Sequence, residues 1–196
     1  MSLNDTSNED ATVYPWGGEF IKGKYTSCVA VVLLNTAYQP PSTVALYGVL
    51  KTENIGIEKI VANVISNPHI RFLIICGEEI RGHRSGASLK ALHQNGIDKN
   101  HRIINAPGAI PYIENIDTES ILRFQRQIEI IDLIGIQNHE LITKTIQTHL
   151  LNNPGSFGKP YIAIRLVTQQ KKSLEDKRSL HSKISINYMG KIKKRL

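Results

Sequence analysis

No stretch of the 196-residue sequence approaches the roughly eighteen uninterrupted apolar residues that a membrane-spanning helix needs. The first ten residues, Met1 to Asp10, are polar and acidic rather than basic and then apolar, which argues against a secretory signal. Together these absences predict a soluble, cytoplasmic protein. Cysteine is scarce as well. Cys28 and Cys76 are the only two, and each lies in an apolar, strand-like run with no Cys-x-x-Cys spacing. That excludes a zinc ribbon and predicts two buried thiols in a reducing compartment.

The common phosphate and hydrolase motifs are missing too. Gly-x-Gly-x-x-Gly, which lets a backbone approach a pyrophosphate closely, does not occur, nor does Gly-x-x-x-x-Gly-Lys-Ser/Thr. Ser85-Gly86 lacks the glycine two residues before the serine that a nucleophile elbow requires. No internal repeat is visible.

Charge is uneven along the chain. The formal net charge is +7, yet from Lys171 to Leu196 there are nine Lys and Arg against two acids, while residues 1 to 170 carry fifteen of each sign. The body is therefore neutral and the tail basic. A basic terminal segment can dock on nucleic acid, an anionic membrane face or an acidic partner, or it can be a solvated arm. Nucleic acid is the unfavoured partner, because the body shares none of the charge.

What is present is alternation of strands and helices, supported by 41% hydrophobic residues. Cys28 to Leu34 is a continuous apolar run suited to a strand buried on both faces, and Pro40-Pro41 falls in the loop after it. Residues 44 to 50 form a second strand. Ile57, Ile60, Val61, Val64 and Ile65 recur at helical spacing up to Pro68, which predicts a helix over 57 to 66. Arg71 to Cys76 is the next strand, and Ser85 is placed to cap a helix that Asn95-Gly96 ends. Residues 102 to 110 read as a short strand or an extended loop. Asp117 caps a helix to about Gln127, residues 128 to 134 form a strand, and a helix through Leu141 to Leu150 stops before Pro154. Such alternation implies a mostly parallel sheet with helices on both faces. In the tail, residues 161 to 167 and 183 to 189 alternate apolar and polar positions, as edge strands or a hairpin would. The expected division is a domain over 1–158 and a basic extension over 159–196.

The segment Phe72-Leu-Ile-Ile-Cys-Gly-Glu-Glu-Ile-Arg-Gly-His-Arg-Ser-Gly86 concentrates the functional interest. It reads as a buried strand, a glycine-punctuated loop and a helix start. Ligands of open α/β sheets sit outside the carboxyl ends of the strands, which is where His83 falls. His83-Arg84-Ser85-Gly86 gives His-x-x-Gly, which resembles the Asp-x-His-x-x-Gly signature of corrinoid-binding Rossmann-like domains. Arg81 stands in the aspartate's place, so a carboxylate partner for the histidine has to come from elsewhere. An ordinary loop histidine is the alternative reading of these four residues alone.

A longer succession of segments carries a more specific resemblance. Lys51 to Pro68, Arg71 to Gly77, Gly82-His83, Ser88-Leu89-x-x-Leu92-His93-x-Asn95-Gly96, Arg102-Ile-Ile104, Gly108-Ala-Ile-Pro111, Glu114-Asn-Ile116 and Arg123-Phe-Gln125 through Asp132-Leu-Ile-Gly135 occur in order. Over residues 12 to 158 the chain resembles the A subunit of tetrahydromethanopterin S-methyltransferase.

This resemblance implies a methanogenic archaeon and a cobalt cofactor, cobalamin or 5-hydroxybenzimidazolylcobamide, with His83 as the lower axial ligand. It implies a methyl carrier between methyl-tetrahydromethanopterin, presented by a partner methyltransferase subunit, and the thiol of coenzyme M. The basic tail stands where that family has a membrane helix, which points to a soluble paralogue of the sodium-pumping complex subunit, inactive without partners. The runner-up is a non-enzymatic module whose tail docks on nucleic acid or protein.

Glu53 is the candidate carboxylate behind His83, and a helix N-terminal acid is its alternative role. Thr52 and Asn54 either line the same pocket or start the helix. Gly77, Gly82 and Gly86 would admit a macrocycle near the backbone, or else serve tight turns. Ala106-Pro107-Gly108 forms a small-residue wall or a structural loop. Asp132 is a weaker partner, as a strand-end acid tends to bind backbone groups. His93 is expected on a helix surface, and the other histidines show no metal spacing with His83.

Overall fold

The computed structural model describes residues 13–163 and, beyond them, the backbone of two short strands. The chain divides into two units, Met1–Arg165 and Leu166–Leu196. The first holds β1 (Phe20–Lys22), β2 (Val29–Leu33), β3 (Leu46–Val49), α1 (Ile55–Ser66), β4 (Phe72–Gly77), α2 (Ser85–Asn95), α3 (Thr118–Gln127), β5 (Glu129–Ile134) and α4 (His139–Leu151). In the second, β6 (Ile184–Ile186) pairs antiparallel with β7 (Ile192–Lys194).

The five strands of the first unit form one sheet in the order β1-β3-β2-β4-β5. Four are parallel, with Ala30 opposite Leu46, Val29 opposite Phe72 and Phe72 opposite Glu129. Strand β1 is the antiparallel edge, Phe20 facing Gly48. The architecture is the expected α/β, Rossmann-like one. Alternate residues of a strand point to opposite faces, and the apolar runs of β2 and β4 serve both. Ala30, Val32, Leu73 and Ile75 pack with Ile57, Val61 and Ile65 of α1, Leu89 and Leu92 of α2 and Phe124 of α3. Val29, Val31, Ile74 and Cys76 pack on the other side with Ile142 and Ile146 of α4. Each such aliphatic chain contributes about 1.5–3 kcal/mol on full burial.

Local chemistry fixes the helix starts. Asn54 Oδ1 accepts from Ile55 N–H at 2.7 Å and Thr52 Oγ1 from Gly56 N–H at 3.0 Å, so α1 begins two residues before the apolar pattern does. Asp117 Oδ1 caps α3 through the Ser120 N–H at 2.8 Å, as expected. Asn138 Oδ1 does the same for α4 through the Leu141 N–H at 3.0 Å.

Three expectations are corrected. Ser85 does not cap α2. The cap position is Arg84, in the left-handed region at φ 44°, and the Glu79 carboxylate accepts the Gly86 and Ala87 N–H groups at 3.3 and 2.6 Å. Ser85 is buried inside the first turn. No helix links β2 to β3. The connecting loop instead sends Tyr38 into the core, where its hydroxyl meets Thr143 Oγ1 of α4 at 2.8 Å. His93 is half-buried rather than on the surface, 2.7 Å from the Ile128 carbonyl and edge-on to Phe124.

Strand β1 carries no strong sequence signal and was not expected. Residues 102 to 110 form a loop with isolated bridges at Arg102 and Ile103. In the tail, Ile184–Ile186 is a strand as the alternation suggested. Its partner is Ile192–Lys194, and residues 164–167 of the other expected strand lie outside the described residues.

Candidate functional site

Connections leaving the C-terminal ends of β2 and β4 run in opposite directions, toward β3 and toward β5. Adjacent strands with diverging connections mark the switch point where ligands of open α/β sheets bind. Between these two strands the crevice is closed by reciprocal backbone bonds, Asn35 N–H to Glu78 O at 3.0 Å and Glu78 N–H to Asn35 O at 3.2 Å. The polar chemistry lies beside this seam, in the turns after β3 and β4.

The turn after β3 buries Glu53 and the turn after β4 presents His83. His83 Nδ1 lies 3.0 Å from Glu53 Oε2, the histidine side chain being 52% exposed and the glutamate 4%. Glu53 Oε1 accepts the Ile110 N–H at 3.0 Å. Burial opposes ionisation of Glu53. The Ile110 N–H, its own backbone N–H and His83 outweigh that cost and hold the carboxyl below its usual value. An ionised carboxylate only accepts hydrogen bonds, so Nδ1 of a neutral His83 carries the proton and Nε2 the lone pair. Among the described residues Nε2 has no hydrogen-bond partner.

The loop between α2 and α3 supplies the third wall. A Cβ on Gly108 would stand 2.7 Å from Ser88 Oγ and 2.8 Å from both Glu53 Cγ and the His83 carbonyl oxygen, so only glycine fits. Ser88 Oγ accepts the Gly108 N–H at 3.2 Å and donates to the Arg84 carbonyl at 2.9 Å, tying this loop to the His83 turn. Exposed aliphatic side chains surround the pair in sequence: Ile55 two residues after Glu53, Ile80 before His83, and Ile110 at 59% exposure.

The predicted residues separate into groups. Glu53, His83 and Gly108 are brought together. Gly82, at φ 90° with nothing near its missing side chain, gives the His83 turn its backbone and leaves open space. Thr52 and Asn54 are committed to the first turn of α1. Gly77, at φ 99°, ends β4 against Thr36, and Gly86 packs on Leu34 and Ile134, so both serve the turn and the core. Ala106 is buried in the core while Pro107 is exposed. Asp132 binds Lys90 and the Ile134 N–H, away from His83.

Ser88, Ile110 and Glu79 were not anticipated. Two of them act through a backbone group or on one, which sequence spacing does not display. Among the described residues no three His, Cys, Asp or Glu side chains converge to hold a metal ion.

The family model for MtrA, the A subunit of tetrahydromethanopterin S-methyltransferase, matches residues 8–174. The chain belongs to that family. Methanothermobacter thermautotrophicus has two such relatives. To the first of its tetrahydromethanopterin S-methyltransferase A subunits the chain is 46% identical over 153 residues, covering 76% of this chain and 64% of the relative. The second is 42% identical, with 76% and 84% covered. The Mtx methyltransferase of Methanosarcina acetivorans has an A subunit that is 47% identical over 135 residues, with 69% and 68% covered. This chain thus spans a little under two thirds of the first of these relatives. Among its described residues no helix is long and apolar enough to cross a membrane.

Proposed function

We propose that this protein binds a cobamide, cobalamin or its 5-hydroxybenzimidazolyl form, and carries a methyl group from methyl-tetrahydromethanopterin to coenzyme M. The observation that carries the reading is the pair of Glu53 and His83, with Nε2 left without a protein partner. The family membership supports the methyl-transfer setting.

The donor chemistry fits a macrocyclic metal. A bare divalent ion needs three or more protein ligands, whereas a metal already held by an equatorial ring needs one axial base. His83 offers one imidazole nitrogen, and the carboxylate behind it makes that nitrogen more electron-rich. The cofactor would supply the centre that accepts and releases the methyl group. This chain's residues have narrower tasks. Glu53 holds His83 in the Nδ1–H tautomer, the Ile110 N–H fixes the carboxylate, and Gly108 keeps the wall close. Ile55, Ile80 and Ile110 offer apolar surface that a ring could cover and thereby exclude water from the axial position.

In this reading the protein works in the cytoplasm with a partner subunit that presents the methylated pterin. It is a paralogue of the pump subunit, in keeping with the occurrence of two A subunits in one organism and the fuller coverage of the second.

Anaerobic incubation with a cobamide, then gel filtration and absorption spectra of wild type beside His83→Ala, tests the proposal. Cofactor that co-elutes with a His83-dependent spectrum supports it. No retained cofactor in reducing or oxidising conditions overturns it and turns attention to the basic tail as a docking arm.

A further inference from the structure

Glu58 is a second buried carboxylate on α1, 1% exposed, and its partners all lie in one short segment. It accepts the Glu114 N–H at 2.5 Å, the Asn115 N–H at 2.8 Å and the Asn115 side-chain amide at 2.7 Å. The same segment supplies the Ile110 N–H to Glu53. Two carboxylates at the start of α1 therefore hold residues 110–115 from both ends.

The segment's other polar ties run elsewhere. Ile103 N–H donates to the Pro111 carbonyl at 2.8 Å and Ile113 N–H to the His101 carbonyl at 2.9 Å, so those bonds fix it to the chain that follows α2. Glu58 fixes it to α1, the helix whose preceding turn contains Glu53. A tight turn, Tyr112 N–H to the Ile110 carbonyl at 3.0 Å, joins the two ends. An apolar side chain would fill position 58 without the cost of burying a carboxylate. Three directed hydrogen bonds are what only the polar group provides.

We propose that Glu58 is a positioning residue for His83. Holding Glu114 and Asn115 aims the Ile110 N–H at Glu53 Oε1. With Oε1 occupied, the carboxylate plane is fixed and Oε2 faces His83 Nδ1. The proposal rests on the reading of His83 as an axial ligand, since that is what gives its tautomer a purpose.

The test uses nitrogen NMR of imidazole-labelled protein without any cofactor, at alkaline pH where imidazole is neutral. Glu53→Ala provides the reference for an unrestrained His83. Wild type is expected in the Nδ1–H form. Glu58→Leu and the milder Glu58→Asp, which keeps the charge and shortens the reach, are expected to shift toward the Nε2–H form that free histidine favours. Glu58→Gln is expected to restore the wild-type signature, because its amide oxygen still accepts both backbone N–H groups and Asn115 can turn its own amide to match. A lowered melting temperature with an unchanged His83 signature in both Leu and Asp variants would reduce Glu58 to a structural role and overturn the proposal. Cobamide retention by wild type is read separately. Its loss would sink the ligand assignment while leaving the tautomer result standing.

Discussion

Glu53 Oε2 and His83 Nδ1 lie 3.0 Å apart although thirty residues separate them, because β3 and β4 end at the same edge of the sheet with β2 between them. The glutamate is buried and the histidine half-exposed, so the contact has an inside and an outside. Charge sits on the inner member. The outer member presents its free nitrogen to solvent, an arrangement that suits an axial base better than a proton-shuttling dyad open on both sides.

Stability is expected to depend on pH through Glu53. Its native carboxyl titrates below the ordinary 4.5. A depressed acid contributes stability that is complete above its unfolded value and is lost as pH falls through the native one. Glu53→Gln should cost about 1–3 kcal/mol at neutral pH. In denaturant titrations across pH, the gap between wild type and variant should stay constant above about pH 5.5 and shrink below 4.5. A gap independent of pH would mean that the charge contributes nothing.

Gly108→Ala is expected to destabilise the domain by about 1–3 kcal/mol, since the added methyl meets Ser88, Glu53 and the His83 backbone at 2.8 Å or less. The same change should disturb the His83 imidazole resonances. A variant with wild-type melting and unperturbed His83 would show that the loop yields freely.

Gln127 is 1% exposed and its Nε2 donates to the Asn67 and Ile70 carbonyls, both at 3.0 Å, with Val64 O at 3.3 Å. Gln127→Leu keeps the size and removes the donor. The expected loss is about 1–3 kcal/mol for each carbonyl left dry, measured by thermal or denaturant unfolding. Little change would mean that water replaces the amide.

Both thiols are expected to be inert in the folded protein. Burial pushes Cys76 up to about 11 and raises Cys28, and neither side chain reaches solvent. A chromogenic disulfide reagent at mildly alkaline pH should count no thiols natively and two after denaturation. Rapid native reaction at either position would contradict the packing.

Much of the fold was legible because period and punctuation encode it locally. The unbroken apolar runs of β2 and β4 announced strands buried on both faces, and Asp117 announced its own cap. Ser85 misled for a physical reason. A serine before a helix looks like a cap, yet the Arg84 backbone turns left-handed and places Ser85 inside, while Glu79 reaches forward to the free N–H groups. The edge strand β1 was invisible because three residues with one half-buried side chain leave little periodic signal.

At the site the same division holds. His83 on a glycine-marked loop after a strand, and Glu53 just before a helix, are properties of the chain itself, as are the family motifs around them. Sequence also set the neutral body and the basic tail. Which oxygen of Glu53 faces His83, why residue 108 admits only glycine and what Glu58 holds were decided by tertiary structure. Those answers depend on atoms brought within 3 Å from turns far apart in the chain, and several of the partners are backbone N–H groups that every residue but proline carries. A donor common to all residues leaves no mark in a sequence, and only the fold selects which one is aimed.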